Sequence, residues 1–201
     1  RRHLTGFGSF TRIFFAGGAT PSMVNHIDYF VPTAQGNAAD FGDLTNARKA
    51  IGASASTTRG VVFGGTNPSN VNIIDYITMA SIGNAIDFGD LTTVANGATG
   101  ASSPTRGIRL GGQPVAATID FFEIATTGNA VDFGDLDTAM GAAAQTSSST
   151  RAVLCSGYDG SSRVGNVQFI TIASQGNAID YGDMDAITTN GAGGASNSVK
   201  A

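Results

Sequence analysis

Residues 83–91 of the chain read Gly83-Asn84-Ala85-Ile86-Asp87-Phe88-Gly89-Asp90-Leu91. Three closely similar stretches begin at Gly36, Gly128 and Gly176, and their aromatic-Gly-Asp cores recur at spacings of 47, 45 and 48 residues. A fixed period of this length is typical of repeat proteins, in which each copy folds as one small unit. The 201-residue chain is therefore interpreted as a tandem array of four units.

Further markers keep the same period. A Thr-Arg pair precedes each unit's second apolar run, at Thr11-Arg12, Thr58-Arg59, Thr105-Arg106 and Thr150-Arg151. A Gly pair follows at Gly17-Gly18, Gly64-Gly65 and Gly111-Gly112, with Ser156-Gly157 in the last copy. An apolar-Asp-aromatic step comes next at Ile27-Asp28-Tyr29, Ile74-Asp75-Tyr76 and Ile119-Asp120-Phe121, with Val167-Gln168-Phe169 in the fourth copy. Several markers in phase over four copies exclude a chance resemblance.

Each unit reads as four short strands, which the second copy illustrates. The patterns predict strands over residues 51–56, 59–63, 72–80 and 85–91, and no stretch sustains the 3.6-residue period of a helix. Gly83-Asn84 stands between the last two runs. Because Gly and Asn tolerate the positive φ of tight turns, this pair predicts a two-residue hairpin loop.

The third strand is apolar on both faces. Ile77 and Met79 fall on one face, with Ile73, while Ile74 and Tyr76 fall on the other. A lone four-stranded sheet cannot cover both of its faces, so the units are expected to stack on one another. The first strand contains mainly Gly, Ala and Ser, which suits a crowded position near a common axis.

These markers resemble the Kelch repeat, a family with an apolar strand ending in Gly-Gly, a Tyr-Asp-like step and a closing Arg. The aromatic residue before each Gly-Asp is Phe41, Phe88, Phe133 or Tyr181, where that family usually has Trp. The closing Arg is present only at Arg48. The resemblance implies an all-β β-propeller of four-stranded antiparallel blades. We define repeats 1 to 4 as the blades 3–45, 46–92, 93–137 and 138–186, with 187–201 as the start of a further blade or a ring-closing strand.

The number of blades is left open by the sequence. Residues 190–199 resemble the first strand of a fifth unit, and Arg1-Arg2 looks like a processed start. These features favour a fragment of a larger propeller over a closed four-blade ring. Neighbouring chains could also supply the missing blades, because an unpaired sheet edge invites pairing.

Composition argues against several functions. The formal net charge is -4, which disfavours nucleic-acid binding, and no apolar stretch is long enough for membrane insertion as a helix. Cys155 is the only cysteine and lies in an apolar run, so it is interpreted as a small buried hydrophobe. His3 and His26 have no matched partners, and nucleophile-elbow and phosphate-loop motifs are absent from the sequence. We therefore expect no enzyme and no cofactor.

Two sets of repeated charges admit two interpretations each. Asp87 and Asp90, with their counterparts, could bind calcium, or their side chains could cap turns; the turn interpretation is favoured. Arg59 and its counterparts could form a cationic ring around a channel, or pair with an Asp of the neighbouring repeat and so fix docking. The docking interpretation is favoured.

The loops after the Gly pairs vary most among the copies, at residues 19–25, 66–71, 113–117 and 158–165. Loops on a rigid scaffold commonly carry recognition, and Tyr158, Asp159 and Arg163 make the fourth loop the best ligand-binding candidate. The repeated motif Gly-Asn-Ala-x-Asp-Phe-Gly-Asp-Leu is similar to Kelch-type repeats of marine tailed-phage structural and tail proteins. That resemblance implies a non-enzymatic virion or tail module for structure or host attachment, with virion proteins, further copies of itself or a host-surface glycan as partners. The alternative is an extracellular lectin-like or protein-interaction propeller of a cell.

Overall fold

The computed structural model describes residues 1–185, which form twenty β-strands and no helix. Repeat 1 contains β1 (Thr5–Gly8), β2 (Ile13–Ala16), β3 (Ala19–Thr20), β4 (Ser22–Met23), β5 (His26–Phe30) and β6 (Ala39–Asp43). Repeat 2 contains β7 (Gly52–Ala55), β8 (Arg59–Phe63), β9 (Thr66–Asn67), β10 (Ser69–Asn70), β11 (Ile73–Thr78) and β12 (Ile86–Asp90). Repeat 3 contains β13 (Thr99–Ser102), β14 (Arg106–Leu110), β15 (Thr118–Glu123) and β16 (Val131–Asp135). Repeat 4 contains β17 (Ala144–Ser147), β18 (Arg151–Tyr158), β19 (Arg163–Thr171) and β20 (Ile179–Asp183).

Each repeat forms one four-stranded antiparallel sheet in chain order, so the all-β prediction is confirmed. The four strands predicted for repeat 2 agree with β7, β8, β11 and β12 to within two residues at each end. The pairs β3–β4 and β9–β10 are small hairpins in the loops after the Gly pairs. The strand expected within 190–199, like the whole of 187–201, lies outside the described residues.

The small-residue strands occupy the inner position of every sheet. β7 packs between β1 and β13, and β13 packs in turn against β17. Residues 4–6, 51–53, 98–100 and 143–145 line one central cavity of about 550 Å³. A Cβ on Gly100 would collide with the Ala53 carbonyl group of the preceding repeat, so small residues permit this close approach. The sheets are thus arranged as blades of a β-propeller.

The hydrophobic core lies between consecutive sheets rather than within any one of them. We call the side of a sheet that meets the following repeat its trailing face, and the side that meets the preceding repeat its leading face. Ile74 and Tyr76 pack from the trailing face of repeat 2 against repeat 3, whereas Ile77 and Met79 pack from its leading face against repeat 1. The predicted two-sided burial of the third strand is therefore what the sheet shows.

The Gly-Asn prediction is wrong in its detail. β11 ends at Thr78 and β12 begins at Ile86, so Gly83-Asn84 is not a two-residue hairpin loop. Instead, Gly83 N–H donates to the Phe41 carbonyl oxygen at 2.9 Å, and Ala85 N–H donates to that of Asp43 at 2.8 Å. The segment therefore adds backbone pairing to the outer strand of the preceding repeat.

The array is open between repeat 4 and repeat 1. Phe41, Phe88 and Phe133 are 1%, 2% and 3% exposed, but their counterpart Tyr181 is 67% exposed. A Cβ atom built on Gly182 would meet no atom within 4 Å, whereas one on Gly42, Gly89 or Gly134 would meet the next repeat's Gly-Asn segment. Within residues 1–185, the blades therefore form an arc and not a closed ring.

Candidate functional site: the loop end of the central cavity

At one end of the cavity, equivalent residues of the four repeats form a chain of backbone hydrogen bonds. Ala50 N–H donates to His3 O at 2.9 Å, Gly97 N–H to Ala50 O at 2.7 Å, and Ala142 N–H to Gly97 O at 2.9 Å. All four residues have positive φ, between 51° and 58°. Because L-residues rarely adopt this conformation, its repetition indicates that packing of the sheets fixes the entrance to each inner strand.

The variable loops all lie at this end. The first residue of each loop forms a β-bridge with the segment that enters the inner strand of the same repeat, in the pairs Arg2–Ala19, Lys49–Thr66, Asn96–Gln113 and Gly141–Tyr158. The loops differ in shape: Pro21 and Pro68 occupy the turns of the β3–β4 and β9–β10 hairpins, while β18 and β19 extend the fourth loop as a longer ladder. Four unlike loops thus surround one opening, which we call the mouth.

Polar side chains share the rim of the mouth with a larger apolar surface. A cavity of about 440 Å³ is lined by His3, Lys49, Thr66, Asn96 and Gln113, among other residues. These side chains offer amide, hydroxyl, imidazole and ammonium groups, most of which can donate or accept hydrogen bonds. The mouth therefore presents hydrogen-bonding groups beside an apolar surface.

Asn70 holds two of the loops together. Its Oδ1 accepts hydrogen bonds from Asn96 Nδ2 at 2.6 Å and from Thr66 Oγ1 at 3.2 Å, and its Nδ2 donates to Gln113 O at 3.0 Å. This network links repeat 2 to repeat 3 at the rim and preorganises both loops. The variable loops identified from the sequence contain Thr66, Asn70 and Gln113, whereas Asn96 lies outside them and was missed.

The structure brings the predicted site residues together in the fourth loop. Tyr158 Oη donates to Gly160 O at 2.7 Å, and the Arg163 guanidinium lies 5.6 Å from the centre of the Tyr158 ring. Asp159 Oδ1 accepts the backbone N–H groups of Ser161 and Ser162 at 2.7 and 2.8 Å. Hydrogen bonds from these N–H groups lower the pKa of Asp159. Asp159 thus shapes the turn, and Tyr158 and Arg163 pack against each other beside it.

The arginines of repeats 1 to 3 bond to the following repeat, but not through aspartate as expected. Each guanidinium stacks on an aromatic ring of its own repeat, 4.5 to 4.9 Å from the ring centre. Arg59 Nη1 donates to the carbonyl oxygens of Ile124 and Ala125 in the next repeat at 3.0 and 2.8 Å, and Arg106 does the same one repeat later. Carbonyl oxygens therefore replace the predicted carboxylate partners.

A buried ion pair lies on the leading side of repeats 2 and 3, on the aspartate of the apolar-Asp-aromatic step, and each pair joins two residues of the same repeat. Arg48 Nη1 and Asp75 Oδ2 are 2.9 Å apart, with both side chains 0% exposed. In repeat 3 the cation comes from β14, since Arg109 Nη1 lies 3.4 Å from Asp120 Oδ2. In repeat 1, Arg1 pairs with Asp28, whose side chain is 37% exposed.

Burial controls the titration of these groups. It lowers the pKa of Arg48, an effect that the Asp75 charge opposes. It likewise lowers the pKa of Arg109. Burial also raises the pKa of Asp120, against the effects of a Thr92 hydrogen bond and the Arg109 charge. Buried charges are costly unless they are paired, so these groups serve docking of the sheets and are shielded from any ligand.

Repeat 4 has uncharged side chains in place of the ion pair. Gln168 stands in the aspartate position, where its Oε1 accepts Asp137 N–H at 2.7 Å and its Nε2 donates to Thr138 O at 2.9 Å. Met140 occupies the place of Arg48 and is 0% exposed. Both charged positions of the ion pair thus hold uncharged side chains in repeat 4.

Other candidates have a different environment from the one expected. His26 Nδ1 lies 3.1 Å from Asp43 Oδ1, and both side chains are largely exposed. The described residues hold no group of three or more His, Cys, Asp or Glu side chains placed to bind a metal ion. Cys155 is only half-buried, and burial raises the pKa of its thiol. Its incomplete burial follows from its position on the trailing face of repeat 4, which no described sheet covers.

No protein-family model and no curated protein matches the chain. Residues 1–185 contain no helix with the length and apolar character needed to cross a membrane.

Proposed function

We propose that the protein is a non-enzymatic attachment or structural module of a virion, associated with its tail, and that the mouth binds a host-surface glycan. The observation that best supports this proposal is the convergence of four unlike loops on one opening of an otherwise repeated framework. Variation confined to one end of a rigid scaffold is typical of recognition sites.

The chemistry of the mouth favours a sugar as the ligand. Sugars are bound by side chains that donate and accept hydrogen bonds, and Lys49, Asn96 and Gln113 supply such groups around the cavity. The Tyr158 ring, held beside Arg163 at the tip of the fourth loop, offers an apolar face to a pyranose ring. Together these groups match the mixed character of a sugar surface.

The placement of carboxyl groups favours binding over acid–base catalysis. Asp120, whose pKa burial raises, is 0% exposed between repeats 2 and 3. A general acid must reach its substrate, and Asp120 has no such access. Asp159 does lie on the loop side, but hydrogen bonds hold it as an anion that stabilises the turn.

A glycan array of bacterial surface polysaccharides tests ligand binding. The protein should bind a limited set of sugars, and Lys49→Ala and Arg163→Ala should each weaken binding by about tenfold, since a charged hydrogen bond is worth about 1.5–3 kcal/mol. Thr57→Ala is the matched control, because Thr57 lies exposed in the β7–β8 turn at the opposite end of the sheet. Equal binding by all variants, or binding to no sugar, would contradict the proposed site.

Immunogold electron microscopy tests the virion assignment. An antibody against the purified protein should label the tails of virions from the culture that carries the gene. Sugar binding without any labelled virion would instead favour the cellular lectin-like propeller.

A further inference from the structure

Each internal junction uses the same set of hydrogen bonds. The outer strand of one repeat bonds to the Gly-Asn-Ala segment of the next: Gly128 N–H donates to Phe88 O at 2.7 Å, and Ala130 N–H donates to Asp90 O at 2.8 Å. Asp90 N–H in turn donates to Asn129 Oδ1 at 3.0 Å. The junctions before and after this one repeat these bonds.

The trailing face of repeat 4 presents this set without a partner in residues 1–185. Tyr181 is stacked edge-on against Phe169, as in the other repeats, yet it is 67% exposed. Arg151 lies over the Phe169 ring at 4.6 Å, in the orientation in which Arg59 reaches carbonyl oxygens of the following repeat. Cys155 adds a half-buried apolar group to the same face. This face is thus prepared for one more sheet.

The leading face of repeat 1 carries the matching set. Gly36-Asn37-Ala38 has the sequence of the segments that pair at the internal junctions, and all three residues are exposed. Phe15 and Phe30 stack at 5.9 Å on this side of the sheet. Phe30 takes the place of Ile77, which packs against the preceding sheet in repeat 2. Asp28 is already paired with Arg1, so covering this face would bury no unpaired carboxylate there.

The two faces do not meet within one molecule. The backbone chain that joins His3, Ala50, Gly97 and Ala142 has no bond from His3 N–H back to Ala142 O among the described residues. β1 and β17 also lack the packing that joins each consecutive pair of inner strands. Within residues 1–185, the junction that joins consecutive repeats is therefore not formed between repeat 4 and repeat 1.

We propose that the trailing face of repeat 4 binds the leading face of repeat 1 of a second copy of this chain. Gly36-Asn37-Ala38 of one copy pairs with β20 of the other, and Tyr181 becomes buried against Phe30. Such a head-to-tail contact is heterologous, so it propagates to a ring or a filament according to the rotation between copies. This assembly is independent of glycan binding at the mouth.

Sedimentation velocity over a range of protein concentrations tests the assembly. The wild-type chain should form oligomers whose mass rises with concentration. Tyr181→Lys and Phe30→Lys each block one face, and each should weaken self-association by about thirtyfold or more, as loss of a central aromatic contact does. Ile82→Lys is the matched control: Ile82 is 63% exposed in a loop away from both faces, and its replacement should leave assembly unchanged.

Mixing the two blocked variants gives the decisive result. The Phe30→Lys chain keeps an intact trailing face and the Tyr181→Lys chain keeps an intact leading face, so an equimolar mixture should form a one-to-one dimer and stop there. Circular dichroism of each variant, matched to the wild type, shows that the sheets remain folded. A mixture that stays monomeric, or a wild-type chain that stays monomeric at all concentrations, would overturn the proposal.

Hydrogen exchange at the Asp183 amide separates assembly from ring closure within one chain. In a head-to-tail assembly, this amide should become protected as concentration rises and should exchange rapidly in the Tyr181→Lys variant. Protection that is independent of concentration in a monomer would show closure of repeat 4 on repeat 1 of the same chain, and would also overturn the proposal.

Discussion

The buried contact between Arg48 and Asp75, both in repeat 2, gives a quantitative test of how the leading side of a repeat is stabilised. Repeat 4 fills the corresponding positions with Met140 and Gln168, so the chain itself contains a charged and a neutral version of one junction. We therefore consider Arg48→Met, Asp75→Gln and the double variant. The double variant places the neutral pair of repeat 4 between repeats 1 and 2.

The structure sets the expected magnitudes. Both side chains are 0% exposed and 2.9 Å apart, and removing one partner of a buried pair costs about 3–5 kcal/mol because the other charge is left uncompensated. Each single variant should therefore lower the free energy of unfolding by that amount. Arg48 Nε has no hydrogen-bond partner in the described structure, so the ion pair is imperfectly satisfied. The double variant should accordingly unfold within about 1 kcal/mol of the wild type, or be more stable.

Urea unfolding followed by circular dichroism measures the four free energies of this double-mutant cycle. The unfolding slope should stay constant among variants, which checks that the repeats unfold together and not one at a time. The coupling energy should be about 5 kcal/mol or more. Single variants that cost less than about 1 kcal/mol, or a double variant whose loss equals the combined losses of the singles, would refute the reasoning.

Two further predictions compare an internal repeat with repeat 4 in dilute protein. Arg59→Ala should lower the free energy of unfolding by about 2 kcal/mol more than Arg151→Ala. The reason is that the Arg59 guanidinium donates to two carbonyl oxygens of repeat 3, whereas the Arg151 guanidinium has only its ring contact in the described residues. Equal losses in urea unfolding would show that the carbonyl contacts contribute nothing. Gly89→Ala should lower the free energy of unfolding by at least about 2 kcal/mol more than Gly182→Ala. Both residues have φ well above zero, at 145° and 127°. Only at Gly89, however, would the new Cβ lie 2.5 Å from the Gly128 carbonyl group. Thermal unfolding of the two variants checks this, and a larger loss at Gly182 would contradict it.

Part of the candidate site could be predicted from the sequence. Tyr158, Asp159 and Arg163 lie in the loop that departs most from the repeat. Such a departure can be recognised by comparing the four copies in the sequence alone. Gln113 also stands in a variable loop, but Lys49 and Asn96 gave no such signal, since a single polar residue near a turn is ordinary. They line the mouth only because the packing of the sheets brings repeats 2 and 3 to one axis.

The Gly-Asn segment shows where local reasoning fails. The pair Gly83-Asn84 has the composition of a tight turn, and a turn is a contact between near neighbours in sequence. Its actual partner is Phe41 of the preceding repeat, about forty residues away. No local pattern distinguishes a hydrogen bond within a hairpin from one across a junction.

By itself, the sequence determined the number of repeats, the strands in each and the burial of both sheet faces. These properties follow from alternation and recurrence along the chain, which depend on near neighbours. Only the tertiary structure decided that the arc formed by residues 1–185 is open between repeat 4 and repeat 1. It also decided that Arg48, Arg109 and Gln168 occupy the same buried side of three repeats with different polar partners. Both results depend on the angle at which whole sheets pack, and that angle is set by side chains that meet from repeats far apart in sequence.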